Sequence, residues 1–402
     1  MSQAFSNWSG VVRCNAAALG CPDSEDALAE SVQASGRVRV VGTGHSFLPY
    51  WQDGDTVISL DALSGLIDVS VLDDDSAVAR VWGGTKLWAL GEPLWEAGYS
   101  MANMGDIDRQ SLAGAVSTGT HGTGTSLGNI SSAVRGLRLV GPDGSITEIG
   151  PSRELQAASV SLGLLGVISQ VVLRVVPRYG LVERDWQADA AETMDHLEEL
   201  TVANRHFEFF WLPGDDLCHS KSLNPIDPTG LDTSEAPQIP FGTSGECCGP
   251  SFRIFPSARE TRFNEMEYSV PAENGPQCFL GIRELMRSRF PKVPWPVEYR
   301  TLDADALWLS SAHERESVTI SIHQGADRPF DDFFRAAEQI FIEHQGRPHW
   351  GKVHYRSAED FAALYPRWAE FLSLRAEKDP DGKFMNPYLK GIFGGEGRAR
   401  RL

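Results

Sequence analysis

Val41-Gly42-Thr43-Gly44-His45-Ser46-Phe47 follows the β-branched run Val38-Arg39-Val40, so two glycines stand where a strand ends and a turn begins. Glycine there allows positive φ and lets a ligand approach the backbone. Successive exposed N–H groups then form a cradle for an anion such as a phosphate. An ordinary glycine turn with a surface histidine fits the same seven residues. The dinucleotide fingerprint G-x-G-x-x-G does not, because Phe47 occupies its third glycine position.

The chain has 402 residues, more than one typical core accommodates, which implies two domains. With 42% hydrophobic and 22% charged residues its balance is globular, and no stretch is long and apolar enough to span a bilayer. A soluble protein is expected. The N-terminal Met1-Ser2-Gln3-Ala4-Phe5-Ser6-Asn7-Trp8 lacks the basic and apolar regions of a secretory signal. A net charge of -18 opposes binding to phosphate backbones, so no nucleic-acid partner is expected. Cys14, Cys21, Cys218, Cys247, Cys248 and Cys278 form no C-x-x-C pair. That argues against a zinc ribbon or a disulfide framework and fits a reducing cytoplasm, with Cys247-Cys248 read as incidental thiols.

Along the chain, Ser24 is placed to cap a helix, Val57–Leu60 and Ala77–Trp82 are strand-like, and a helix is expected from Leu87 to Ala97. From Gly105 to Gly128 the residues are mostly glycine, serine and threonine, with few charges and little helical periodicity. Such a segment can wrap a large polar ligand through backbone N–H groups and hydroxyls. A flexible linker is the alternative, but Leu112, Ala115 and Val116 are unusual in one. Strands follow at Gly136–Val140 and Val167–Val176, separated by a turn at Gly141-Pro142-Asp143-Gly144 and a helix capped near Ser152. Pro213 to Pro256 reads as a long surface excursion.

Two later strands carry chemistry on alternate residues. In Val297-Glu298-Tyr299-Arg300-Thr301, Glu298 and Arg300 share a face; in Val318-Thr319-Ile320-Ser321-Ile322-His323, Thr319, Ser321 and His323 share one. If the strands are neighbours, a carboxylate, a guanidinium, hydroxyls and an imidazole line one wall that could hold a polyhydroxylated molecule. A solvated sheet face with a surface Glu/Arg pair is the competing reading. A helix is expected from Asp331 to His344, with Gly346 as its stop, and a capping box at Ser357-Ala358-Glu359-Asp360. His344, His349 and His354 recur every five residues, which is no metal-ligand spacing, and no metal site is expected.

In order along the chain stand Phe5-Ser6-Asn7-Trp8, Val41-Gly42-Thr43-Gly44-His45-Ser46, Asn103-Met104-Gly105, Ser117-Thr118-Gly119-Thr120-His121-Gly122-Thr123-Gly124 and Ser161-Leu162-Gly163-Leu164-Leu165-Gly166-Val167-Ile168. Pro296-Val297-Glu298-Tyr299-Arg300, Arg347-Pro348-His349-Trp350-Gly351-Lys352 and Asp379-Pro380-Asp381-Gly382-Lys383-Phe384-Met385-Asn386 complete the set. The whole resembles the sugar-1,4-lactone and alditol oxidases of the vanillyl-alcohol-oxidase superfamily of FAD enzymes. The resemblance implies an α+β fold: a two-subdomain FAD-binding domain over 1–177, a substrate domain over 178–370 built on an antiparallel sheet flanked by helices, and a segment 371–402 returning to the FAD domain. It implies that Val41, Gly42, Thr43, Gly44, His45 and Ser46 bind FAD, with His45 linked covalently to the 8α-methyl group. Gly105, Asp106, Ser111, Gly114, Ser117, Thr118, Gly119 and His121 become a second flavin-contacting loop, and Val167 and Ile168 contact the adenine side. No cysteine lies in that loop, so a doubly linked flavin is not expected.

Glu298, Arg300 and Lys352 match the family's catalytic and substrate positions, and Asp106 and His323 join them as substrate contacts. The implied activity is oxidation of an aldono-1,4-lactone, such as L-gulono- or D-arabinono-lactone, or of a sugar alcohol. Hydride passes to flavin N5 and O2 is reduced to H2O2. A cation near the reacting oxygen stabilises the charge that develops, a role for Arg300. Glu298 then binds hydroxyls, and Lys352 polarises or deprotonates the reacting one or holds the flavin's anionic edge. Asp106 departs from the serine that polyol-oxidising relatives tend to carry, and Gly105 is the small residue that tends to admit O2. The alternatives are an alditol oxidase, a dehydrogenase of the same fold with a quinone or cytochrome acceptor, and a non-catalytic sugar- or nucleotide-binding protein.

Overall fold

The valine-rich run before the glycine turn forms a strand because β-branched residues suit a pleated, buried surface. A computed structural model describes residues 3–73, 76–234, 237–256 and 261–394. Strands β1 (Gln3–Ser6) and β2 (Arg13–Ala16) pair as a hairpin, and β3 (Ala18–Gly20), β4 (Val38–Val41) and β5 (Thr56–Ser59) make a parallel sheet ordered β3-β5-β4. An antiparallel sheet follows from β6 (Leu66–Asp73), β7 (Ser76–Trp82), β8 (Tyr99–Ser100), β9 (Val134–Val140), β10 (Ile146–Ile149) and β11 (Val167–Pro177), in the order β10-β9-β11-β7-β6 with β8 on β11. The remaining strands are β12 (Gly180–Asp189), β13 (His206–Leu212), β14 (Leu217–Ile226), β15 (Gly245–Pro250), β16 (Phe263–Pro271), β17 (Val297–Leu302), β18 (Ser317–Gly325) and β19 (Arg347–Pro348). They build one eight-stranded antiparallel sheet, β15-β12-β14-β13-β17-β18-β16-β19.

Period-two patterning decides what each face of that sheet does. Met266, Tyr268 and Val270 of β16, Val318, Ile320 and Ile322 of β18, and Phe207, Phe209 and Trp211 of β13 join one apolar cluster. The helices Gly275–Arg289 and Asp331–Glu343 cover it with Phe279, Ile282, Phe334, Ala337 and Phe341. Burying each such aromatic contributes about 2–3 kcal/mol. The other face carries the polar residues, and they too are buried, because the first part of the chain covers them.

Several expectations change. The Gly105–Gly128 segment is not a loop throughout: Leu112–Thr118 is a helix, started by the Ser111 hydroxyl accepting from Gly114 N at 3.3 Å and driven by burial of Leu112, Ala113, Ala115 and Val116. The stretch from 213 to 256 supplies β14 and β15 to the large sheet, so it is only partly a surface excursion. Gln345, at φ +58°, makes the left-handed exit from the helix ending at Glu343, one residue before the glycine expected there. The strand β6 is not among the expected elements, although Ile67-Asp68-Val69-Ser70-Val71 alternates as a strand does.

The end of the chain packs on the first part. Val38 N donates to Lys383 O at 2.9 Å and Asn386 Nδ2 to Pro49 O at 3.0 Å. Arg39, buried in β4, donates to Tyr50 O (3.0 Å), Phe384 O (2.7 Å) and Leu162 O (2.9 Å), tying three distant segments to one strand. Arg39→Met orphans these three carbonyls and is expected to cost about 2–4 kcal/mol, read as a lower urea midpoint with unchanged slope.

Candidate active site

A cavity of about 450 Å3 lies between the first part of the chain and the polar face of the large sheet. Gly42, Thr43, Gly44, His45 and Ser46 line it, as do Gly105, Asp106, Ser111, Gly114, Ser117, Thr118, His121, Val167 and Ile168. Glu298, Arg300, His323 and Lys352 face them across it. Two expected contacts are absent from the lining. Val41 ends its strand with the side chain in the apolar core, and Gly119 closes the Leu112–Thr118 helix at φ +74°.

The glycine turn is shaped by close packing. Gly44 takes φ +69°, and a Cβ on Gly42 would lie 2.2 Å from Ser111 Oγ, so the turn and the second loop touch as only glycine permits. Trp8 N donates to Gly44 O at 2.8 Å, and Phe47 N to Gly351 O at 2.8 Å, which fastens the turn from both sides. His45 stacks on Trp8 with centroids 5.2 Å apart and 15° between planes, while its Nδ1 meets Thr43 Oγ1 at 2.9 Å. Burial, helped by Lys352, Lys86 and Arg109, pushes the His45 imidazole down to about 4, so it is neutral at pH 7.

Opposite, strand register assembles the wall. Glu298 of β17 sits across from Ser321 of β18, which sits across from Glu267 of β16; His323 of β18 faces Glu265 of β16. Glu267 is the centre. It accepts from Ser321 Oγ at 2.6 Å, meets His121 Nε2 at 2.8 Å, and pairs with Arg300. Burial alone would raise its carboxyl, but His121 and Arg300 hold it well below the usual range. Lys352 pairs with Glu265, which also lies 3.7 Å from His323 Nε2. Arg300 Nε is 3.4 Å from Glu298 Oε1 and otherwise has no hydrogen-bond partner in the protein among the described residues. Burial pushes Glu298 up to about 7 against the pull of Arg300, with Asp106, Glu265 and Glu267 adding to the rise. Asp106 accepts from Lys221 Nζ at 3.1 Å, and Lys221 reaches Glu208 at 3.4 Å.

The surface Glu/Arg alternative therefore fails, since Glu298 and Arg300 are buried. Sequence reasoning missed Glu265, Glu267, Lys221, Glu208 and the Trp8 stack. A signal existed for two of them: Phe263-Asn264-Glu265-Met266-Glu267-Tyr268 alternates as Val318 to His323 does. The fold does bring His349 beside His121 and Glu267, unlike His344 and His354. Their atoms are engaged in hydrogen bonds: Glu267 is shared as above, and Gly351 N donates to His349 Nδ1 at 3.0 Å.

The first part of the chain, residues 16–150, matches the FAD binding domain family, and residues 171–240 and 236–392 match the D-arabinono-1,4-lactone oxidase family. Fold and site thus define an FAD-dependent oxidoreductase. The chain belongs to the sugar-1,4-lactone oxidase family of FAD enzymes. It is 35% identical to the L-gulono-1,4-lactone dehydrogenase of Mycobacterium tuberculosis over 98% of this chain and 100% of that protein. It is 29% identical to an alditol oxidase of a Streptomyces species over 98% and 100%. Cholesterol oxidase from B. sterolicum, at 14% identity, superposes with a TM-score of 0.82 over 98% of this chain and 97% of that one, a likeness of fold alone. No helix among the described residues is long and apolar enough to cross a membrane.

The cavity suits FAD. Glycine backbone and the hydroxyl-bearing Thr43, Ser46, Ser111, Ser117 and Thr118 line it, apolar Val38, Val40, Leu60 and Ile168 offer a surface for a flat ring, and Gln110 Oε1 is buried without a hydrogen-bond partner among the described residues. Glu267→Ala is expected to cost about 3–5 kcal/mol because it strands Arg300 and His121, whereas Ser321→Ala removes one hydrogen bond for about 1 kcal/mol. Denaturant titration of both variants measures the contrast.

Proposed function

We propose that the protein oxidises a neutral polyhydroxylated substrate, an aldono-1,4-lactone such as L-gulono- or D-arabinono-lactone, with O2 as electron acceptor and H2O2 as product. The observation that carries this is the meeting, in one cavity, of the His45 turn with a wall of buried Glu298 and Arg300 and half-buried Lys352. When bound, FAD supplies the acceptor for the hydride that leaves the alcohol carbon. Gly42 to Ser46 and the loop residues Gly105, Asp106, Ser111, Gly114, Ser117, Thr118 and His121 would hold it, with Val167 and Ile168 as contacts for its adenine side. His45, neutral and steadied by Thr43 and Trp8, is the nucleophile for a covalent link.

The chain's own residues handle the proton and the charge. The Arg300 guanidinium, lining the cavity and paired with Glu267 and Glu298, donates to a substrate oxygen and stabilises its developing negative charge. Glu298, raised to about 7, is poised near neutrality to take the hydroxyl proton. Lys352, held by Glu265, keeps its ammonium toward the cavity and polarises the reacting hydroxyl. His323, with Nδ1 at 2.9 Å from Pro296 O, presents its other edge to the substrate side. Six free thiols support a reducing, cytoplasmic setting.

Two observations favour secondary readings. A relative at 29% identity over nearly the whole chain is named an alditol oxidase, so sugar alcohols belong in the substrate panel. The 35% identical relative is named a dehydrogenase, so the acceptor is tested by the rate at which air reoxidises substrate-reduced protein. A rate far below turnover with a dye acceptor replaces O2 in the proposal. Oxygen uptake across aldonolactones, alditols and aldoses tests the reaction as a whole.

For the link, yellow colour should survive acid precipitation of the wild type and be lost from His45→Ala. A wild-type peptide without added flavin mass removes the tether and leaves FAD binding intact. For the base, kcat/KM should fall as pH drops through about 7, because protonated Glu298 cannot accept a proton. That limb should vanish in Glu298→Gln, with a loss of about 100-fold or more at high pH.

A further inference from the structure

The charges on the substrate wall do not balance. Asp106, Glu265, Glu267 and Glu298 line it with carboxylates, against the cations Arg300 and Lys352. Behind Asp106, strand register adds one of each sign: Glu208 of β13 lies across from Lys221 of β14 on one side and from Arg300 of β17 on the other. Lys221, with a side chain 7% exposed, is consumed by Asp106 and Glu208. Fully ionised, the group has five carboxylates and three cations. The protein relieves this excess by letting buried carboxyls hold protons: burial lifts Glu208 to about 8, with Asp106 adding to the rise, and Glu298 to about 7.

An uncharged ring entering this pocket adds nothing to the imbalance. A carboxylate entering it finds every one of these cations already paired, Arg300 with Glu267, Lys352 with Glu265 and Lys221 with Asp106, and meets their carboxylates at low dielectric, where like charges repel strongly. Lactones open in water to their hydroxy acids, so substrate and anion reach the site together. We propose that Asp106, held by Lys221, which also reaches Glu208, is the charge filter of this pocket, admitting neutral polyhydroxy compounds and excluding the open-chain aldonate. Asp106 is a specificity determinant here because it both lines the cavity and takes up the charge of Lys221, which would otherwise attract the anion. The inference rests on the oxidase reading and sharpens its substrate class.

The test compares L-gulono-1,4-lactone, L-gulonate and the neutral D-glucitol on flavin-loaded wild type, Asp106→Asn and Glu208→Gln at low ionic strength. Two readouts are used: competitive inhibition of lactone oxidation by gulonate, and perturbation of the flavin absorbance by each compound alone. In the wild type, gulonate should bind at least about tenfold more weakly than the neutral compounds. In Asp106→Asn the ratio of gulonate to lactone binding constants should fall by about tenfold, with Glu208→Gln moving it the same way by less. Wild type binding gulonate as tightly as lactone overturns the filter, as does an unchanged ratio in variants that keep their flavin. If Asp106→Asn loses flavin, Asp106→Ser and Glu208→Gln carry the comparison. If nothing in the panel is oxidised, the oxidase reading fails, and the absorbance titrations still decide whether the pocket rejects the anion.

Discussion

Glu267 is the point on which the site depends. A carboxylate removed from water costs several kcal/mol, and it is stable here because Arg300, His121 and Ser321 surround it. These partners come from three places: β17 and β18 of the large sheet and the glycine-rich loop of the first part. The same contacts that keep the charge tolerable therefore fix how the two halves of the chain meet. They also set the position of Arg300, which lines the cavity beside Glu298.

The glycine turn gains its shape in the same way, from contacts outside itself. Asn7 Nδ2 donates to Ser46 O at 3.0 Å, and the backbone of Trp8 and of Gly351 holds Gly44 and Phe47. One side of the turn is thus tied to the N-terminal hairpin and the other to the segment that carries Lys352. Cofactor turn and substrate wall are joined by backbone, which limits how far either can drift and keeps donors preorganised without later reorganisation. Arg39 does the equivalent for the far end of the cavity, where Leu162 and Phe384 meet.

Much of this was legible from local pattern. Alternation in Val297–Thr301 and Val318–His323 put Glu298, Arg300 and His323 on the same side as the structure does, because side chains in a strand can only point two ways. The cap at Ser152 and the capping box at Ser357 are local as well, and both are formed. Leu112–Thr118 was hidden by its glycine and threonine content: its helix is held by burial against other elements, and propensity gives no hint of that. Glu265 and Glu267 sat in a strand of the same alternating kind, but two glutamates near a glycine- and proline-rich stretch read as surface until their partners are known.

The sequence alone determined which residues could serve: a glycine turn with a histidine, a hydroxyl-rich loop, and strands with chemistry on one face, since these follow from backbone freedom and a fixed period of two. Only the tertiary structure decided their state. That Glu298 is half-protonated near neutrality, that Lys352 is held by Glu265, and that Asp106 spends its charge on Lys221 follow from burial and from neighbours more than a hundred residues apart in Asp106's case. The strength of an electrostatic interaction depends on distance and on the surrounding dielectric, and neither exists until the chain has folded.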